Sequence, residues 1–88
     1  MEIKIATRHC VDDMGAQRRF HYFLTIDHVS SGPFCYEDYG VRINEENANS
    51  CTVPSITTSA MRIDELMSLL IEHTVGPIGL EDVVSDWL

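Results

Sequence analysis

Seven side chains in this sequence are of the types that ligate metals or pair as nucleophile and base: His9, Cys10, His21, His28, Cys35, Cys51 and His73. Zinc sites place their ligands close together along the chain, in Cys-x-x-Cys or His-x-x-x-His spacing. No pair here has that spacing. On a regular strand His21 and His28 have opposite parity and face opposite sides. A metal site would have to assemble between neighbouring strands, with His9, His21, Cys35 and Cys51 as its candidates: Cys35 with Cys51, or His9 with His21. The plainer reading is four solvated or partly packed histidines and three small apolar thiols.

A cysteine nucleophile needs a base beside it. His9 and Cys10 are sequence neighbours and point to opposite faces of a strand, which leaves Cys10 against His21 across a hairpin. No catalytic signature flanks any cysteine. The carboxylates Asp12/Asp13, Glu45/Glu46 and Glu81/Asp82/Asp86 read as solvated faces and turns. No glycine loop suited to phosphate is present, since the acids around Gly76 and Gly79 would repel one. No catalytic residue and no cofactor are assigned, and the chain is expected not to be an enzyme.

The remaining chemistry is that of contact. Tryptophan is over-represented among interface hot spots, and Trp87-Leu88 is the most informative candidate. Trp87 reads either as a core residue on the sheet or long helix or as an anchor for a partner. Phe23, Tyr36 and Tyr39 join it as candidates, and Tyr22, Tyr36, Tyr39, Phe20 and Phe34 are expected to form a similar aromatic patch on the sheet's other face.

These residues need elements to position them. The chain has 88 residues, which suggests one domain, 1–88. At this size burial and conformational entropy nearly cancel, so association would help and a homodimer is a second expectation. The formal charge is −8, from 6 basic and 14 acidic residues. That surface repels phosphate backbones and anionic lipids; no nucleic acid and no membrane partner is expected. Acidity first serves solubility, and it also attracts a basic partner. No signal peptide is visible, and no apolar run approaches the ~20 residues of a membrane span. Three cysteines, an odd number, argue against a disulfide framework. The expected location is cytoplasmic.

Ile3 and Ile5 alternate with polar residues, predicting a strand over 1–9. Phe20, Tyr22, Leu24, Ile26 and His28 alternate with Arg19, His21, Phe23, Thr25 and Asp27, the best strand signal in the chain, over 18–29. Tyr39, Val41 and Ile43 predict a third strand, 35–45. Gly40 inside it marks a bulge or a close backbone approach. Glu45–Ser50 reads as a polar hairpin loop. A short fourth strand follows, 51–57, placed at a sheet edge by Pro54.

From Ser59, a fair N-cap, the period becomes helical. Ile63, Leu66, Met67, Leu70 and Thr74 share one face of a helix over 60–75. Gly76 reads as its left-handed cap and Pro77 as the stop. Gly79 reads as the N-cap of a short helix, 79–87, with Ile78 and Val83 as a hydrophobic staple. Leu80, Val83, Val84 and Trp87 share its apolar face.

Two motifs carry a resemblance. Tyr39-Gly40-Val41-x-Ile43, then Val75-x-Pro77-x-x-Leu80-x-Asp82-Val83-Val84-x-Asp86, is similar to the pattern of a group of short clostridial proteins of unknown function. It covers most of the chain and is specific in the last 15 residues or so. The resemblance implies one globular domain of a cytoplasmic bacterial protein, and no activity.

The expected fold is α+β: a four-stranded antiparallel sheet followed by two C-terminal helices packed on one face, a two-layer sandwich. The expected function is non-enzymatic: a protein–protein interaction or regulatory module. The alternative is a metal- or small-ligand-binding domain using sheet histidines and cysteines.

Overall fold

A computed structural model describes residues 1–88. Four antiparallel strands form one sheet in the order β1-β2-β3-β4: Glu2–Val11, Gln17–Ser31, Phe34–Glu45 and Ser50–Thr57. Two α-helices follow, α1 (Ala60–Glu72) and α2 (Leu80–Trp87), with a 3₁₀ turn, Pro77–Gly79, running directly into α2. This is the α+β arrangement that alternation followed by helical spacing predicts. Each strand extends one or two residues beyond the sequence estimate at one or both ends.

Parity assigns the faces. Phe20, Tyr22, Val41 and Ile43 point under the helices and meet Ile63, Leu66, Met67, Leu70, Leu80 and Val84 in one core. Ser59 caps α1 by accepting a hydrogen bond from the Arg62 amide at 3.2 Å. α1 lies across β2, β3 and β4, and α2 packs on β4 and α1. No helix is long and apolar enough to cross a membrane.

Gly40 occupies a crowded point. A Cβ there would lie 2.5 Å from the Val53 carbonyl oxygen, 2.6 Å from Thr25 Oγ1 and 2.7 Å from Pro54 Cα. The β3–β4 register shifts here, with Pro54 and Ser55 bulging out of β4 and Ser55 at φ 55°. Both sequence readings of Gly40, bulge and close approach, describe the same place. Pro54 sits on the edge strand, where its missing N–H costs no ladder bond.

The α1–α2 connection differs from the sequence reading. α1 ends at Glu72, and the left-handed residue after it is Thr74, at φ 51°. Gly76 is extended, with φ −92° and ψ 176°. The space there is tight for a tertiary reason: a Cβ would stand 3.1 Å from the Phe20 ring, which would have to shift by a few tenths of an ångström. Pro77 is buried at the first position of the 3₁₀ turn, so it starts a helical segment and does not merely end one. Gly79 is the N-cap of α2, where the sequence places it, and its backbone there is already near-helical, with φ −89° and ψ −6°. The staple is absent, since Ile78 is 77% exposed.

Tyr22 ties this connection to the sheet. Its hydroxyl donates to the Val75 carbonyl at 2.8 Å. Burial pushes its pKa up from 10.0 to about 12. Raised in the fold, this group contributes stability that is complete below pH 10 and is lost as pH rises through about 12. Tyr22→Phe is expected to cost about 1 kcal/mol at neutral pH. It should also flatten the decline in stability between pH 10 and 12. Urea titrations of both proteins across that range check both effects; parallel declines would show that Tyr22 does not carry the alkaline transition.

Candidate functional site: a projecting hairpin and the groove at its base

The β2–β3 register is regular from Phe20↔Glu45 to Ser31↔Phe34. Pairing outlasts the helical layer. Beyond Ile26↔Tyr39 the hairpin continues for five more pairs, about 17 Å at the usual rise per residue. The molecule is accordingly long, with principal extents of 54 × 24 × 16 Å. We call residues 27–38 the arm.

The arm is exposed on both faces, apart from Val29 and Asp38, which are partly covered. Val29 and Tyr36 are directly paired, as are Ser31 and Phe34, on the face turned away from the helices. Phe34 is 70% exposed and Tyr36 44%. Asp27 and Asp38 are directly opposed on the same face, a like-charge pairing that weakens a ladder unless a cation comes between them. From Phe20 to Val41 the sequence contains Asp27, Glu37 and Asp38 and no lysine or arginine.

At the arm's base, on the helix-bearing face, lies a groove of about 280 Å³. Ile5, Leu24, Ile26, Tyr39, Ile63 and Met67 give it an apolar floor and wall. Glu37 and Asp64 stand at it, and no cation does. Ile5 reaches it as the extra residue of a bulge in β1, between Lys4↔Phe23 and Ala6↔Tyr22. The Tyr39 hydroxyl donates to Glu37 Oε2 at 2.9 Å. That hydrogen bond raises the Tyr39 pKa.

The aromatic patch expected from the sequence does not form. Phe20 and Tyr22 are core residues beneath the helices. Tyr39 has the parity of Val41 and Ile43 and so lies on the helix-bearing face, opposite Tyr36. Phe23 does share a face with Tyr36, but its paired residue Arg42 lies six positions along β3 from Tyr36, about 20 Å away. The Arg42 guanidinium covers the Phe23 ring at 4.0 Å and holds Glu2 through both carboxylate oxygens, at 2.8 and 2.9 Å. That contact keeps the Glu2 pKa below the ordinary carboxylate value. Trp87 is half-buried against the core, with Arg62 over its ring at 4.3 Å. It therefore behaves as a core-edge residue, while Leu88 is 73% exposed.

The metal candidates are dispersed. Cys35 pairs with Ser30 near the arm's tip, and Cys51 pairs with Ile43 on the far edge. Eight positions of β3 separate the two pairings, about 27 Å. His9 and His21 do share the outer face, through the pairs His9↔Arg19 and Thr7↔His21. His21 Nδ1 lies 3.1 Å from Thr7 Oγ1. No group of three or more His, Cys, Asp or Glu side chains converges anywhere. Cys10 pairs with Arg18 on the helix-bearing face, away from His21. Burial, and then the Glu81 carboxylate, push the Cys51 thiol up, the reverse of what activates a nucleophile.

The adjacent arginines also separate. Arg18 clamps Glu45 beneath the helices, at 2.8 and 3.2 Å, and Arg19 meets Glu46 on the outer face at 3.2 Å. Glu45 is buried and does not belong to a solvated loop. Its parity with Val41 and Ile43 was the available sign.

A model described as a family of unknown function, DUF6514, matches residues 1–88. No curated protein and no solved structure matches the chain. The chain thus belongs, over its whole length, to the DUF6514 family of unknown function.

Proposed function

We propose that this chain is a single-domain, non-enzymatic protein-binding module that engages a heterologous protein partner through the arm. One observation carries the reading. The β2–β3 hairpin stands clear of the helical layer with Phe34 and Tyr36 exposed on it. Ordered strand pairing that runs past the core with aromatic side chains in solvent is a surface suited to another molecule.

Charge favours a partner other than a second copy. The chain carries −8, and the arm contributes Asp27, Glu37 and Asp38 with no lysine or arginine. A second copy would bring the same charge to the same face. The setting we infer is the cytoplasm of a bacterium. The resemblance to clostridial sequences around Tyr39-Gly40-Val41 and Pro77–Asp86, together with three unpaired cysteines, supports it.

The test is affinity capture from source-cell extract by the wild type and by a Phe34→Ser/Tyr36→Ser double variant. Both substituted side chains are exposed, so the melting temperature should hold. The expected result is a partner retained by the wild type and lost by the variant. Equal capture by both, or none by either, would refute the arm as the binding surface.

A further inference from the structure

We infer that the groove at the base of the arm holds a large apolar side chain of the partner, flanked there by lysine or arginine. This rests on the reading of the chain as a protein-binding module and names the chemistry of what it binds.

Volume supports a side chain as the occupant. At about 280 Å³ the groove is at the small end of the range of ligand pockets, which run from about 300 to 1,000 Å³. The groove is open on one side, so a large aromatic or aliphatic side chain can enter it while its backbone stays outside. Hot-spot residues at protein interfaces seat in apolar pockets of this kind. The floor is built for it: Leu24 and Ile26 rise from β2, Tyr39 from β3, and Ile63 and Met67 descend from α1.

Charge selects the flanking residues. Glu37 on β3 and Asp64 on α1 both line the groove, and nothing cationic does. Asp64 has no ion-pair partner in the chain, because the four arginine and histidine pairs formed use Glu2, Glu45 and Glu46. Glu37 is bonded only to the Tyr39 hydroxyl, through one oxygen. Two carboxylates therefore remain free to meet a cation on either side of an apolar anchor.

The same charges discriminate among occupants. A fatty acid or another anionic amphiphile would bring its head group against Glu37 and Asp64. A second copy has few cations to offer. Of its six basic residues, Arg18, Arg19 and Arg42 are held by its own Glu45, Glu46 and Glu2, Arg62 lies over its own Trp87, and only Lys4 and Arg8 are outside such contacts.

The experiment uses the full chain, isotope-labelled for amide NMR. One short synthetic peptide has a central tryptophan between two leucines, with lysines on both sides. A second has glutamates in place of the lysines. The expected result is saturable shifts at Ile26, Tyr39, Ile63 and Met67 with the lysine peptide and none with the glutamate peptide. Ile5→Asn leaves the net charge unchanged and should weaken binding about tenfold or more. Asp64→Asn should weaken it several-fold and make it less sensitive to salt.

Binding that survives Ile5→Asn undiminished, shifts located elsewhere, equal binding of both peptides, or no binding would overturn the inference. A concentration-dependent dimer abolished by Ile5→Asn would overturn it in favour of a second copy. Its failure is separable from failure of the arm reading. If Ile5→Asn still captures a cellular partner that Phe34→Ser/Tyr36→Ser loses, the groove assignment falls and the arm stands.

Discussion

Deletion of Gly79–Leu88 is expected to abolish cooperative unfolding. Leu80 is fully buried and Val84 nearly so, at 0% and 4% exposure, and Val83 and Trp87 pack on the same core. Exposing or removing a buried aliphatic side chain costs about 1.5–3 kcal/mol each. Two of them, before any contribution from Trp87, cost about 3–6 kcal/mol by that measure. The whole domain holds only about 4–13 kcal/mol at ordinary stability per residue.

The deletion also uncovers the α1 and β4 surfaces on which α2 lies, and it takes Trp87 from beneath Arg62. Circular dichroism melting is the check. A sharp transition at the wild-type temperature would show that α2 is not part of the cooperative core. Leu80→Ala is the milder form of the test, with an expected loss of about 2–5 kcal/mol.

Gly40→Ala should be the most damaging single-methyl addition in the sheet. The new Cβ would lie 2.5 Å from the Val53 carbonyl oxygen and 2.7 Å from Pro54 Cα. Both are backbone atoms, so no rotamer change relieves the clash, and β4 has to move away from β3. Overpacking of this kind costs about 3 kcal/mol. Loss of the β3–β4 ladder bonds in hydrogen exchange should accompany it. Gly79→Ala is the control. Its Cβ would come no closer than 3.8 Å to the nearest atom, the Val75 Cγ1 carbon. The residue is already helical, so stability should hold or rise by about 0.4–1 kcal/mol. If the two alanine variants melted alike, crowding at Gly40 would not be what selects glycine there.

The contrast between these two glycines shows what could be read from the chain. Alternation through Phe20, Tyr22, Leu24 and Ile26 reports a strand and its inward face because the pleat has a period of two. Ile63, Leu66, Met67 and Leu70 report a helix by the same logic at its own period. Ser59 and Pro54 are local signals, and both lie where local rules place them. The role of Gly76 is not local. It depends on the Phe20 ring, far away in sequence, so a cap was the natural and mistaken reading.

The candidate site was legible in fragments. Tyr36 and Tyr39 were visible as contact residues, but an odd separation along one strand sends them to opposite faces. That rule was available from the sequence and excludes a shared patch. Exposure of the arm was not available, because alternation in residues 20–29 looks the same whether or not a helix lies above it. The groove depends on where α1 crosses the sheet and on the β1 bulge that delivers Ile5. Glu37 and Asp64 acquire their shared role only from that crossing.

The arm is proposed to meet a protein other than this one. The most direct measurement is photo-crosslinking in the source cells, with a photoreactive amino acid replacing Phe34 and, as a control, Glu72 on the outer side of α1. The expected result is a discrete adduct from position 34 that is heavier than 10.0 kDa by the mass of a different polypeptide, and none from position 72. An adduct at twice the chain's own mass, the same adduct from both positions, or no adduct from position 34 would contradict it.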